Sequence, residues 1–226
     1  MAKKITETSR KGRKKKTHPV VVVVCEGTKT EPTYFRRFRE KYRRNIIVDV
    51  ASKRDNLSNL IQETVKRRND HIAGLENEED CSAWCVIDAD VDYKTPGNHI
   101  IRNNQIKEAQ KEAGNVIKIA LSNPCFELWF LLHYIYTTSQ MRNYNDVMKE
   151  LSKQKGFEKY EKIRDVFDIL EDKLEIAKKN AESLQQHHIN QNKTDLFDVS
   201  ATPYTNIWEL IAIIQKSESN HGNKTS

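Results

Sequence analysis

The chain has 226 residues, 37% of them hydrophobic and 31% charged, with seven glycines and five prolines. That suffices for one large or two small domains and excludes a collagenous or low-complexity body. No run approaches the ~20 apolar residues of a membrane span, and the charged N-terminus lacks the apolar stretch of a secretory signal, so the expected location is cytoplasmic.

The formal charge of +6 is unevenly placed. Residues 1–18 hold eight Lys and Arg side chains against Glu7, a net +7, which leaves −1 for residues 19–226. This predicts a disordered basic arm that binds polyanions without specificity. A solvated tail that only aids solubility is the equal alternative.

Val20 to Cys25 is a continuous β-branched run and predicts a strand covered on both faces. A turn, Glu26-Gly27-Thr28-Lys29-Thr30, follows, with Thr30 suited to cap a helix and Glu31-Pro32 suited to its first turn. That helix carries Tyr34, Phe35, Phe38 and Tyr42 at helical spacing, read as a buried aromatic stripe, and an arginine-rich set spread over residues 36–44. A second strand is expected over Ile46–Val50, a helix over Asn56–Asn69, a third strand over Ala83–Ile87, a helix over His99–Ala113 ended by Gly114, and a fourth strand over Val116–Leu121. The most apolar helix is expected over Phe126–Tyr136. Strand and helix alternate with short connections, which predicts a mainly parallel sheet between helices. After Thr137 the pattern is helical, over Asn143–Lys153, Ile163–Gln186 and Asn206–Ile214, with no clear strand. The expected organisation is thus a basic arm (1–18), an α/β domain (19–136), a helical C-terminal extension (137–216) and a flexible tail (217–226).

The chemistry lies in acids at strand ends. Glu26 ends the first strand, and Asp88, Asp90 and Asp92 follow the third. Open α/β sheets bind ligands at the C-terminal ends of their strands, and clustered carboxylates repel one another unless a cation neutralises them. A divalent metal site for phosphate chemistry follows, provided the backbone from Asp88 to Asp90 stays extended so that the two acids share a side. An exposed acidic loop is the plainer alternative for the Asp run alone. The four cysteines are read as buried apolar residues, because Cys81 and Cys85 have no second close Cys/His pair to complete a zinc site. His133 is read as a packed helical histidine, and His187-His188 as surface.

Two longer motifs add a family. Val24-Cys25-Glu26-Gly27-Thr28-Lys29-Thr30-Glu31-Pro32-Thr33-Tyr34-Phe35 and Leu121-Ser122-Asn123-Pro124-Cys125-Phe126-Glu127-Leu128-Trp129-Phe130-Leu131-Leu132-His133 resemble the two signatures of RloB-like proteins. Thr202-Pro203-Tyr204-Thr205-Asn206-Ile207 resembles a weaker C-terminal motif of that family. The family is similar to the Toprim group of topoisomerases, primases, OLD-type nucleases and anti-phage effector nucleases. The resemblance implies a Toprim-like Rossmannoid α/β domain and a metal-dependent nuclease of prokaryotic phage defence. The Toprim pattern, one Glu after the first strand and Asp-x-Asp after a later one, is matched by Glu26, Asp88 and Asp90.

Together these readings make Glu26, Asp88, Asp90 and Glu127 the expected catalytic set, and Glu26, Asp88, Asp90 and Asp92 the expected ligands of Mg²⁺ or Mn²⁺. Lys29, Arg36 and Arg37 are the expected contacts to a nucleic acid, RNA or DNA. Glu31 is read as a partner for its own helix dipole. Gly27-Thr28-Lys29-Thr30 is too short for a Walker A loop, so ATP hydrolysis is not expected, although a partner ATPase or defence-complex subunit is. The rival reading is a non-catalytic sensor or adaptor that binds nucleic acid or a partner protein.

Overall fold

The computed structural model describes residues 19–42, 45–51, 56–75 and 77–222. The expected basic arm, Arg43, Arg44 and residues 223–226 of the expected tail lie outside the described residues.

The elements run β1 (Val20–Cys25), α1 (Thr30–Tyr42), β2 (Asn45–Val50), α2 (Leu57–Ile72), β3 (Cys81–Asp88), α3 (Asn98–Ala113), β4 (Lys118–Asn123), α4 (Glu127–Leu132), α5 (Tyr144–Leu151), α6 (Phe167–Leu170), α7 (Leu174–Asn190), β5 (Tyr204–Thr205) and α8 (Ile207–Gly222). The five strands form one sheet in the order β2-β1-β3-β4-β5. β1 pairs in parallel with β2 and β3, and β3 with β4, while β5 is antiparallel to β4. The fold is therefore a mixed α/β, doubly wound sheet flanked by helices, as the alternation of strand and helix requires.

β1 is continuous in valine because both of its faces are buried. Val21, Val23 and Cys25 point into one core, with Phe35 and Phe38 of α1, Trp129 and Phe130 of α4 and Ile211 of α8. Val20, Val22 and Val24 point into the other, with Leu60 and Ile61 of α2 and Ile106 and Ala109 of α3. Each fully buried Val contributes roughly 1.5–3 kcal/mol relative to exposure. α5, α7 and α8 complete the first core, so the C-terminal part is packed into the same unit as the sheet.

Five local expectations change. The region after Thr137 does supply a strand: β5 is two residues long, too short to register as a period. Asn206 extends its role, because its Oδ1 accepts from Leu121 N–H at 2.7 Å and its Nδ2 donates to Ile119 O at 3.0 Å, replacing ladder bonds with an amide side chain. The apolar helix ends at Leu132 rather than Tyr136. Asn180 Nδ2 takes the Leu132 carbonyl at 2.8 Å, and the Tyr134 and Ile135 N–H groups both turn back to Leu131 O. The long helix expected over Ile163–Gln186 is broken by a 3₁₀ turn at Glu171–Lys173 and begins only at Phe167. β4 starts two residues late because the Val116 and Ile117 N–H groups still bond Ala113 O beyond α3. Of the expected flexible tail, residues 217–222 belong to α8.

Candidate functional site

β1 and β3 lie side by side, but α1 leaves β1 toward one core and α3 leaves β3 toward the other. Sheets of this winding open a crevice at such a switch point. Here a cleft of about 530 Å³ is lined by Glu26, Lys29, Glu31, Asp88, Asp90, Arg102, Glu127 and Lys162 among others.

Glu26 continues the β1 ladder by one residue, its N–H donating to Val86 O at 3.0 Å, and its Oε2 accepts from Asp88 N–H at 3.4 Å. Asp88 is the last residue of β3, opposite Ser122 in β4. The chain then turns. Asp90 has φ +35° and donates its N–H to Pro124 O at 3.0 Å, so the extended backbone expected between Asp88 and Asp90 is not what brings them together. Asp tolerates this left-handed region better than most residues, and both acids line the cleft.

Glu127 opens α4 and is only 1% exposed. Its Oε1 accepts from Thr30 Oγ1 at 3.3 Å and Tyr160 OH at 3.4 Å. Thr30 shares its proton with Lys162 O at 3.2 Å, so its hydroxyl serves the cleft rather than the helix cap expected of it. Glu31 sits in the first turn of α1, as its dipole role requires, but is also buried and lines the cleft. Its carboxylate folds back over Gly27, where an added Cβ would lie 2.3 Å from either carboxylate oxygen. Only a residue without a Cβ leaves that space.

The charges are not balanced in place. Burial, then the neighbouring Glu31, Glu127 and Glu26, hold the Asp88 pKa well above the usual carboxylate range. Burial likewise raises Glu31, with Glu127 and Glu26 adding to it. Burial works against the Lys162 ammonium, yet Glu127 and Asp88 outweigh it and hold its pKa above the ordinary lysine value. Asp88 Oδ1 is buried with no hydrogen-bond partner among the described residues. Glu26, by contrast, faces the Arg102 guanidinium, whose Nη2 lies 3.2 Å from each carboxylate oxygen. Among the described residues no three Asp, Glu, His or Cys side chains are gathered so as to hold a metal ion as they stand.

The remaining expected residues divide. Lys29 lies exposed on the cleft lining. Asp92 turns away into a local turn, accepting from Lys94 N–H at 2.9 Å and Thr95 Oγ1 at 2.8 Å, which holds its pKa below the usual value. Arg37 is engaged by Glu40, Asp165 and Asp168, and Arg36 is exposed on α1; neither lines the cleft. Tyr34 is buried and receives Trp129 Nε1–H at 2.9 Å, so it is core, as its helical spacing implied. His133 is buried, its Nδ1 2.8 Å from Trp129 O, and burial pushes its pKa down to about 3. His188, read as surface, is buried with Nε2 2.7 Å from Pro203 O. All four cysteines are buried and free. Sequence reasoning missed Arg102, Tyr160 and Lys162, which no local motif marks; Glu31 was visible in the first signature but was assigned to the helix dipole alone.

The architecture and its cleft define a doubly wound α/β protein with an acidic site at the switch point. The chain belongs to the RloB-like protein family, whose model matches residues 21–214. The match takes in β5 and half of α8, so the C-terminal part lies within the family's own unit. No curated protein and no solved structure matches the chain.

Proposed function

We propose that the protein is a divalent-metal-dependent nuclease of Toprim type that cleaves nucleic acid phosphodiester bonds in prokaryotic anti-phage defence. One observation carries the reading: Asp88 Oδ1 is buried without a partner among the described residues, beside two further buried acids, Glu31 and Glu127. The Lys162 ammonium is one charge against these three acids, and a divalent cation would supply what it leaves unneutralised. Oxygen donors suit Mg²⁺ or Mn²⁺, and Mg²⁺ commonly takes only one or two carboxylates, completing its shell with water and phosphate oxygens. The donor set therefore fits one ion without three converging acids. Asp88 would hold it with Glu26 or Glu127, and Asp90 would stand at the rim; Asp92 is not in the set. A bound ion would polarise the phosphoryl group and lower the pKa of a coordinated water.

The chain's own residues do the rest. Lys29 and Lys162, both lining the cleft, provide compact cations for substrate phosphates. Thr30 and Tyr160 fix the Glu127 carboxylate. The basic segment before β1 raises the local concentration of polyanion.

A second reading, a non-catalytic sensor or adaptor working with a partner such as an ATPase, is favoured by one observation: Glu26 already has a cation in Arg102. The deciding experiment is Mn²⁺- and Mg²⁺-dependent cleavage of tRNA, single-stranded RNA, plasmid and single-stranded DNA, with Asp88→Ala and Glu26→Gln proteins alongside. Metal-dependent cleavage lost in both variants supports the nuclease. No cleavage, together with no Mn²⁺ binding by the intact chain, refutes it.

A further inference from the structure

No sequence motif marks Arg102, yet it makes the densest set of polar contacts in the cleft. It stands on the second turn of α3 and its side chain is 17% exposed. Nη2 donates to Asp88 O at 2.6 Å and lies 3.2 Å from each Glu26 carboxylate oxygen, and Nε donates to Ala89 O at 2.9 Å. One guanidinium thus joins the acid that ends β1 to the two carbonyls where β3 ends. A planar fork with several donors can do this; a lysine ammonium cannot make the same set.

The contact divides the cleft electrostatically. Among the described residues Glu26 is the cleft acid with an ion pair, whereas Asp88, Glu31 and Glu127 have none. A divalent ion that approached Glu26 would meet a fixed positive charge at the same two oxygens. The two carbonyl bonds of Arg102 do not depend on Glu26, so the carboxylate can leave while the guanidinium stays anchored.

We infer that Arg102 is an internal competitor for the metal. It holds Glu26 out of divalent-ion coordination, and the ion site is completed only when Glu26 exchanges Arg102 for the ion. This inference rests on the metal-site reading proposed above, and it supplies that site with a latch.

The test is calorimetric titration of Mn²⁺ into the chelator-stripped full chain, in the wild type, Arg102→Gln, Glu26→Gln and the double variant, with thermal melts to record folding. Removing one competing charge near a partly exposed carboxylate is expected to tighten Mn²⁺ binding roughly tenfold in Arg102→Gln. The gain should vanish in the Glu26→Gln background, because the shared carboxylate is gone. Unchanged or weaker binding in Arg102→Gln overturns the inference, and so does an equal gain in both backgrounds, which would mark only a diffuse charge effect. Should Arg102→Gln fail to fold, Arg102→Lys keeps the charge but loses the fork and is expected to bind Mn²⁺ about threefold tighter than wild type; unchanged or weaker binding there overturns the competition. If the folded wild type binds no Mn²⁺, the metal reading falls and this inference with it. If the wild type binds but Glu26 and Arg102 show no coupling, only the latch falls.

Discussion

Replacing Asp88 by Asn removes a carboxylate from the place where the fold least accommodates one. Burial and the charges of Glu31, Glu127 and Glu26 hold its folded-state pKa above the unfolded value of about 3.9. The sign follows from linkage. Well below pH ~3.9 both states carry the proton and Asp88 contributes nothing to the pH dependence. As pH rises the unfolded chain releases its proton first, so the metal-free folded state loses about 1.4 kcal/mol per pH unit until the folded pKa is passed, and the loss is constant thereafter. Asn has no such proton. In chelator, Asp88→Asn should therefore gain on the wild type as pH rises above about 4, by roughly 2–4 °C of melting temperature for each kcal/mol in a chain of this size. Saturating Mn²⁺ should invert the order. An ion at 100 times its Kd would stabilise the wild type by about 2.7 kcal/mol, while the variant would lack the carboxylate proposed to hold it. The assay is thermal unfolding followed by circular dichroism from pH 4 to 8, with chelator or with Mn²⁺. A variant less stable than wild type by the same margin at every pH, and equally responsive to Mn²⁺, would refute the buried-carboxylate account.

Two further outcomes are expected. Asn206→Ala strips partners from two buried backbone groups, Leu121 N–H and Ile119 O, at about 1–3 kcal/mol each, so its melting temperature should fall by roughly 4–24 °C; a drop under about 2 °C would mean that the amide does not hold β4. Gly27→Ala places a methyl group against the Glu31 carboxylate, which must move aside. The fold should survive because the displaced group is the end of a flexible side chain, while Mn²⁺ affinity falls roughly tenfold, as for loss of a residue that supports a metal site; unchanged affinity would separate Glu31 from the ion.

Much of the scaffold was legible in the residues. The five-valine run is β-branched throughout and the Ala83–Ile87 run is continuously apolar, so strands buried on both faces could be placed with little error, and the acids ending them followed at once. Gly114 marked the end of α3 correctly, and the helix expected from Asn56 begins one residue later, with Asn56 as its cap and its Oδ1 accepting from Asn59 N–H. The aromatic stripe of α1 was read as core because its spacing is helical. β5 was not legible, since two residues make no period, and neither was the early end of α4, which depends on Asn180 nearly fifty residues away.

The same limit governs the site. Local pattern determined which acids stand at strand ends, because alternation, apolar runs and signatures are properties of contiguous residues. Only the tertiary structure decided which of them share a cleft and with what counter-charge. It turned Asp92 into its own local turn, brought Glu31 in over a glycine, and delivered Arg102 from α3 and Tyr160 and Lys162 from the segment before α6. Those partners lie 76 and more residues from Glu26 along the chain, with no spacing rule between them. Their positions are set by how α3 and the C-terminal helices pack on the two faces of the sheet, a balance of burial that no single segment encodes.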